Sequence, residues 1–436
     1  MSGGYMTFSI YTLGCKVNLY ESEFVANLLK KNEYTEKEFS DFCDVYIINT
    51  CSVTNNADSK SMKMIRNAKK RNPEACIVAM GCFVEKSKDN LDKINECADI
   101  IIGTKDKSKI AELLDKFFED KKRITRLYDY LAKDSFEDMY IDNFASRTRA
   151  FVKIQDGCEN FCSYCIIPFV RGKRRSKDFD KVIEEITSLV NNGYQEIVLT
   201  GIHTGSYGVD VNSSFASLLR EIVKIKGLKR LRISSIEITE LNDEVLALLK
   251  EDSVIVDHLH IPLQSGCDKI LKLMNRKYDL AYFENKLKEI RKIRKDIAIT
   301  TDVIVGFPFE SDEDFRETVD TVKRFEFAKI HVFPYSLREG TKAATMTDQV
   351  DGTTKKERAK TLGEVSKELE INYMNKFIGK DLLVLTEEVK DGFTYGHTSN
   401  YLHVKINKEL KPNTFIKVHL TKVNYPYVEG EPNDLH

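Results

Sequence analysis

Residues 156–175 read DGCENFCSYCIIPFVRGKRR, a cluster of cysteines followed directly by a basic run. Cys158, Cys162 and Cys165 follow the spacing C-x3-C-x2-C. Three thiols cannot pair among themselves without a remainder, and the spacing fits none of the usual zinc patterns. Three thiolates can hold three irons of a 4Fe-4S cluster and leave the fourth iron for an outside ligand. The stretch directly follows AFVKIQ (150–155), an apolar run of strand character. Comparable runs recur at QEIVLT (195–200), KRLRIS (229–234), DHLHIPL (257–263), AITTDVIVG (298–306) and AKIHVFPY (328–335). Each of the first five leads into a helical pattern. Six such units imply a partial (βα)6 barrel, in which chemistry sits on the loops at the C-terminal strand ends. The cysteine loop occupies that position.

Working outward, the whole chain has 436 residues, 42% apolar and 31% charged, with room for about three domains. The formal net charge of −1 means that a nucleic-acid partner must be held by local basic patches, not by a global field. No run approaches the ~20 apolar residues of a membrane span. The start, MSGGYMTFSIYTLGCKVN, lacks the pattern of a secretory signal. Ten cysteines in such a chain read as metal ligands and core thiols in a reducing, cytoplasmic setting.

The segment 1–125 alternates strand and helix signals, with strands at FSIYTLGC (8–15), DVYIINTC (44–51), CIVAMGC (76–82) and DIIIGT (99–104). This predicts a parallel α/β sheet. Cys15, Cys51 and Cys82 each close such a strand, and in an open parallel sheet those ends share the ligand-binding edge. Each alone passes for a small apolar residue; together they read as a second three-thiolate site. Cys43, Cys76, Cys97 and Cys267 show no such arrangement. A polar passage, 126–147, reads as a linker, and the barrel segment spans 148–345. A connecting helical segment covers 346–375, with Leu362, Val365, Leu369 and Tyr373 on one face. Residues 376–436 are strand-rich, with Ile416, Val418 and Leu420 alternating with Lys417, His419 and Thr421. This predicts a small closed β-barrel.

The fold class is thus α/β multidomain: a parallel sheet domain, a partial barrel and a small β-barrel. Arg171, Lys173, Arg174, Arg175 and Lys177 follow the cysteine loop at the barrel mouth, either as a solvated face or as a contact for an RNA backbone. Lys60, Lys63, Arg66 and Lys70 share one helix face after Cys51. Tyr395, His397 and Tyr401 could stack on unpaired bases or be ordinary barrel residues.

The chain resembles the radical S-adenosylmethionine (SAM) methylthiotransferases. The motifs are TLGCKVN (12–18), NTCSVTNNADSKSMKMIR (49–66), MGCF (80–83), IQDGCENFCSYCIIPFVRGKRRS (154–176), LTGIHTGSYG (199–208), RLRISSIE (230–237), HIPLQSG (260–266) and TDVIVGFPFES (301–311). FTYGHTSNYLHVKI (393–406) resembles the family's RNA-binding TRAM barrel. NTCSVTNNAD and TGIHTGSYG are most like the branch acting on N6-threonylcarbamoyladenosine at tRNA position 37. Other branches act on isopentenyladenosine or on a ribosomal-protein aspartate, and a non-catalytic iron–sulfur scaffold that binds RNA is a further alternative.

The resemblance implies two 4Fe-4S clusters, one on Cys158, Cys162 and Cys165 that binds SAM, and an auxiliary one on Cys15, Cys51 and Cys82. It implies two SAM molecules per turnover: one gives its methyl to a sulfur, the other the radical that takes hydrogen from the adenine carbon. By position it implies SAM contacts at Gly201, Ser234, Glu237, Gln264, Val305 and Gly306, and Tyr164 is placed to pack on the SAM adenine. The implied partners are the tRNA anticodon loop and an electron donor such as flavodoxin or ferredoxin; the sulfur donor stays open. One departure is Cys267 in QSGCDKIL, where serine is more familiar.

Overall fold

The computed structural model describes residues 6–129, 135–144 and 148–433. The N-terminal sheet is wholly parallel, in the spatial order Thr35–Glu36, Thr7–Thr12, Val45–Thr50, Cys76–Gly81, Ile100–Ile102, Ile124–Arg126. Every residue of Val45–Thr50 and Cys76–Gly81 is buried, as expected for central strands covered by helices on both faces. The two edge strands were not foreseen, because two or three residues are too short to show a period. Register pairs Thr12 with Asn49 and Thr50 with Gly81, so the chain leaves three neighbouring strands at one edge.

The second unit contains all six expected strands: Arg149–Asp156, Glu196–Gly201, Arg230–Ile233, His258–His260, Ala298–Val305 and Lys329–Pro334. They run parallel in two hydrogen-bonded groups, linked by a bridge between Leu231 and Ile255. Helices such as Phe179–Asn191 bury Val182, Ile186 and Leu189 against the outer face. One unforeseen pair, Arg175–Ser176, turns back antiparallel on Gln155 and Asp156. It reverses the fate of the basic run, as shown below.

The helix Gly352–Asn375 buries Leu362, Val365 and Tyr373 and leads into a closed barrel. Its strands are Asp381–Lys390, Phe393–Thr398, His403–Ile406, Phe415–Asn424 and Tyr427–Pro432. Of the passage expected to be a linker, residues 130–134 and 145–147 lie outside the described residues. Its described part is packed: Met139, Ile141 and Phe144 join the core, and the Tyr20 hydroxyl donates to the Met139 carbonyl at 3.0 Å.

Candidate functional site

Three strand ends bring Cys15, Cys51 and Cys82 together. Cys15 is exposed ahead of the helix Lys16–Lys31, while Cys51 and Cys82 are buried. Gly14 has φ +101°, and a Cβ there would lie 2.8 Å from the Cys51 sulfur, so only glycine lets the two chains approach. Asn18 binds both turns, donating to the carbonyls of Leu13 at 2.7 Å and Thr50 at 3.0 Å. Burial pushes the Cys82 thiol up to about 11, against the pull of Arg171.

Arg171 comes from the second unit and is fully buried. Its Nε donates to the Cys82 sulfur at 3.2 Å, and its Nη1 donates to Glu21 at 2.9 Å and to Asp156 at 3.1 Å. Lys153 lies between the same two carboxylates, at 2.8 Å and 2.6 Å, and Lys107 is 3.4 Å from Glu21. Arg171, Lys153 and Lys107 thus share two buried carboxylates, and the buried Arg175 lies 3.9 Å from Asp156 as well. An anionic group at Cys82 offsets part of the surplus positive charge, since an uncompensated buried charge is costly. That donor set suits an anionic iron–sulfur group bound through the cysteines. Arg338, also from the second unit, clamps the turn after Cys51 through the Ser52 carbonyl at 2.6 Å and Asp58 at 2.7 Å.

These contacts correct the reading of the basic run. Arg171 and Arg175 are internal, and Lys177 is buried in an ion pair with Glu185, so none of the three faces an RNA. The reason is the return strand Arg175–Ser176, which folds the run back under the barrel edge. Lys173 stays exposed, and Arg174 is partly exposed and paired with Glu159 at 2.8 Å.

The other triad is organised by its own loop. The Cys158 amide donates to the Gly172 carbonyl, the Cys165 amide to Cys162 and the Ser163 amide to Met274, each at 3.0 Å. Gly157 has φ +74°, and a Cβ there would meet the Lys173 carbonyl oxygen at 2.0 Å. Two groups not foreseen from sequence lie beside this triad. Arg276 donates to the Cys162 sulfur at 3.3 Å and pairs with Glu237. His203 pairs with Glu240 at 2.6 Å. Burial opposes a charge on His203, but Cys158 and Glu240 overcome it and raise the imidazole to about 10. His203 lies two residues beyond Gly201 in a motif already singled out; Arg276 stands alone in its loop, with no signal to mark it.

Two family models match the chain: residues 152–322 match the Radical SAM superfamily, and residues 7–103 match Uncharacterized protein family UPF0004. The threonylcarbamoyladenosine tRNA methylthiotransferase MtaB of Bacillus subtilis (strain 168) is 42% identical, with 98% of this chain and 96% of the relative covered. The chain belongs to the radical-SAM tRNA methylthiotransferase family. The Thermotoga maritima protein of the same name is 37% identical, covering 97% of this chain and 96% of its own length. A tRNA-2-methylthio-N(6)-dimethylallyladenosine synthase of Acetivibrio thermocellus is 36% identical over 88% of this chain and 81% of its own. Among solved structures, the radical SAM methyltransferase TsrM from Kitasatospora setae shares the fold, with TM-score 0.56, 14% identity and coverage of 78% of this chain and 77% of that one. The cofactors of this methylthiotransferase are two 4Fe-4S clusters and SAM. Among the described residues, no helix is long and apolar enough to cross a membrane.

Within the methylthiotransferase, a cavity of about 190 Å³ lies between the two cysteine loops. Val53 and Thr54, just after Cys51, form one side, with Tyr164, Cys165, Gln264 and Ile304 opposite. Tyr164 meets the Phe307 ring edge-on, with centroids 6.4 Å apart. Gln264 takes φ +68° at its strand end. Val305 is fully buried in the core, and alternation along the strand gives its expected cavity-facing place to Ile304. The Gly306 amide donates to Glu310 at 2.8 Å. Gly201 packs on Gln155, and Ser234 lines a separate cavity toward the C-terminal barrel. Glu237 is engaged by Arg276.

Of the expected RNA contacts, Lys60, Lys63, Arg66 and Lys70 are all exposed on the helix Asn55–Arg71, without ion-pair partners among the described residues. His397 stacks between Tyr401 and His403, with centroids 4.6 Å and 4.5 Å away, and Tyr395 adjoins His403. All three expected barrel residues line a cavity between the C-terminal barrel and the partial barrel.

Proposed function

We propose that the enzyme inserts a methylthio group at C2 of N6-threonylcarbamoyladenosine at position 37 of tRNA. The observation that carries the reading is the shared cavity, lined by the turn after Cys51 and by Cys165, onto which both cysteine loops open. The names of the relatives called threonylcarbamoyladenosine tRNA methylthiotransferase MtaB favour this branch. Cys158, Cys162 and Cys165 would hold the SAM-binding cluster, and Cys15, Cys51 and Cys82 the auxiliary one. When bound, these groups supply the hydrogen-abstracting radical and the sulfur and methyl of the product.

The protein's own part is positioning and exclusion of water. Arg276 donates to the Cys162 sulfur and Arg171 to the Cys82 sulfur, so one sulfur of each triad has a fixed cation beside it, and His203 lies near Cys158. Ile304 and Tyr335 give the cavity part of an apolar lining, which favours a reactive species over water there. The exposed basic face from Lys60 to Lys70 borders the Cys51 loop and suits the backbone of an anticodon loop. Flavodoxin or ferredoxin would supply electrons in the cytoplasm.

The deciding experiment is mass spectrometry of tRNA nucleosides from a host lacking this activity, with and without the gene. Gain of 2-methylthio-N6-threonylcarbamoyladenosine is the expected result. Gain of only the isopentenyl analogue would move the substrate to that branch. No new methylthio nucleoside, from protein holding both clusters, would direct attention to ribosomal protein.

A further inference from the structure

A larger cavity, about 510 Å³, lies between the partial barrel and the C-terminal barrel, and Lys16, Arg149, Arg232, His397 and Tyr401 line it. A neighbouring cavity of about 420 Å³ shares Lys16, His397 and Tyr401 and reaches Ser234. Lys16 follows Cys15 directly, so this space adjoins the cysteine triad of the N-terminal sheet.

The cations around it are unequally paired. Arg149 donates to Glu387 at 2.8 Å, and the same carboxylate is 2.7 Å from the His397 ring nitrogen. Arg232 is held by Glu196 at 2.9 Å, and its guanidinium lies over the Tyr401 ring, 4.5 Å from the centroid. Glu196 is shared with Arg149 and Arg230, and the buried Arg232 Nη2 has no hydrogen-bond partner. Lys16 has no ion pair or hydrogen bond among the described residues. Glu196 and Glu387 already engage Arg232 and Arg149, Glu388 is exposed, and Asp302 acts on Lys16 from beyond ion-pair distance. Lys16 is itself exposed on the wall of both cavities with no direct partner, so its three N–H donors are open to an oxyanion.

We propose that Lys16, backed by Arg149 and Arg232, binds the carboxylate of the N6 substituent and so reads the negative charge that sets a threonylcarbamoyl group apart from a neutral one. The inference rests on the functional reading above. A backbone phosphodiester carries the same chemistry. The substituent is the better match, because Lys16 adjoins Cys15 and the N6 group is a short covalent reach from the carbon being modified. The stacked rings of His397 and Tyr401 would border the remainder of the substituent.

The test uses the reconstituted holoenzyme and three anticodon stem-loops, differing only at N6 of residue 37: threonylcarbamoyl acid, its methyl ester, and dimethylallyl. Affinities are read by anaerobic fluorescence anisotropy at one salt concentration. The wild type should bind the acid about tenfold tighter than the ester, as expected for one charge-assisted contact. Lys16→Gln should bring the ratio close to one, and Lys16→Arg should keep it. Iron content equal to that of the wild type shows that each variant is folded. A wild-type ratio near one would overturn the proposal. So would a Lys16→Gln ratio that survives, or equal weakening of acid and ester, which would assign Lys16 to a backbone phosphate. If the wild type methylthiolates the acid-bearing tRNA and yet any of these results is found, only this inference falls; if it leaves that tRNA unmodified, the functional reading falls first.

Discussion

Cys158, Cys162 and Cys165 come from one loop, whereas Cys15, Cys51 and Cys82 come from the ends of three separate strands. The first triad keeps its sequence spacing, and its loop is braced from within the same unit by Leu273, Met274 and Asn275. The second depends on sheet register, on Gly14 for close approach, and on Arg171 and Arg338 reaching across from another unit. The loop triad depends on contacts inside one unit, while the distributed triad is only as stable as the interface between two.

The largest effect should come from exchanging the two triads as targets. Cys162→Ala should abolish both SAM cleavage and methylthio product, while Cys51→Ala should spare 5′-deoxyadenosine formation and abolish the product. Chromatography of reduced, SAM-supplied protein checks both, and product from Cys51→Ala would sink the assignment of the distributed triad.

Next is Arg171→Met, which leaves Glu21 and Asp156 buried with fewer partners. We predict a loss of about 3–5 kcal/mol in urea unfolding. Iron should fall to roughly half, with SAM cleavage kept, because only one triad loses its support. Equal loss of iron from both sites would erase the contrast drawn here.

A smaller effect should appear in acid. Burial alone would raise the Glu21 carboxyl, but Arg171, Lys107 and Lys153 outweigh it and hold it well below the usual carboxylate range. A depressed carboxyl stabilises the fold above its unfolded value of about 4 and loses that contribution as pH falls further. The unfolding midpoint of the wild type should therefore drop below about pH 5, and the drop should be shallower in Glu21→Gln. Parallel curves would remove Glu21 from the account.

The smallest is on the surface. Lys63→Gln with Arg66→Gln should weaken tRNA binding and lower the salt dependence by up to about two phosphate contacts. Iron content should not change, since both side chains are exposed. An unaltered salt slope would make this helix face merely solvated.

Much was legible in the sequence because it is local. The loop triad shows in eight consecutive positions, and strand periodicity located the sheets and the C-terminal barrel. The distributed triad was legible only through its strand ends. The basic run was not, because a row of arginines and lysines does not say which way each side chain turns. The run offers Arg171 as a solvated or RNA-facing cation, and the fold makes it a fully buried member of the ion network. Val305 and Ile304 make the same point on a smaller scale: the strand was right, and the face was decided by packing.

By itself, then, the sequence determined the family, the three-part architecture and the six candidate cysteines, since spacing and periodicity are properties of neighbours along the chain. Only the tertiary structure decided which cations are sealed inside, that Arg276 reaches the Cys162 sulfur, and that Lys16 faces a cavity without a direct ion-pair partner. Burial and charge balance depend on groups far apart in the chain. They exist only once the sheets have met.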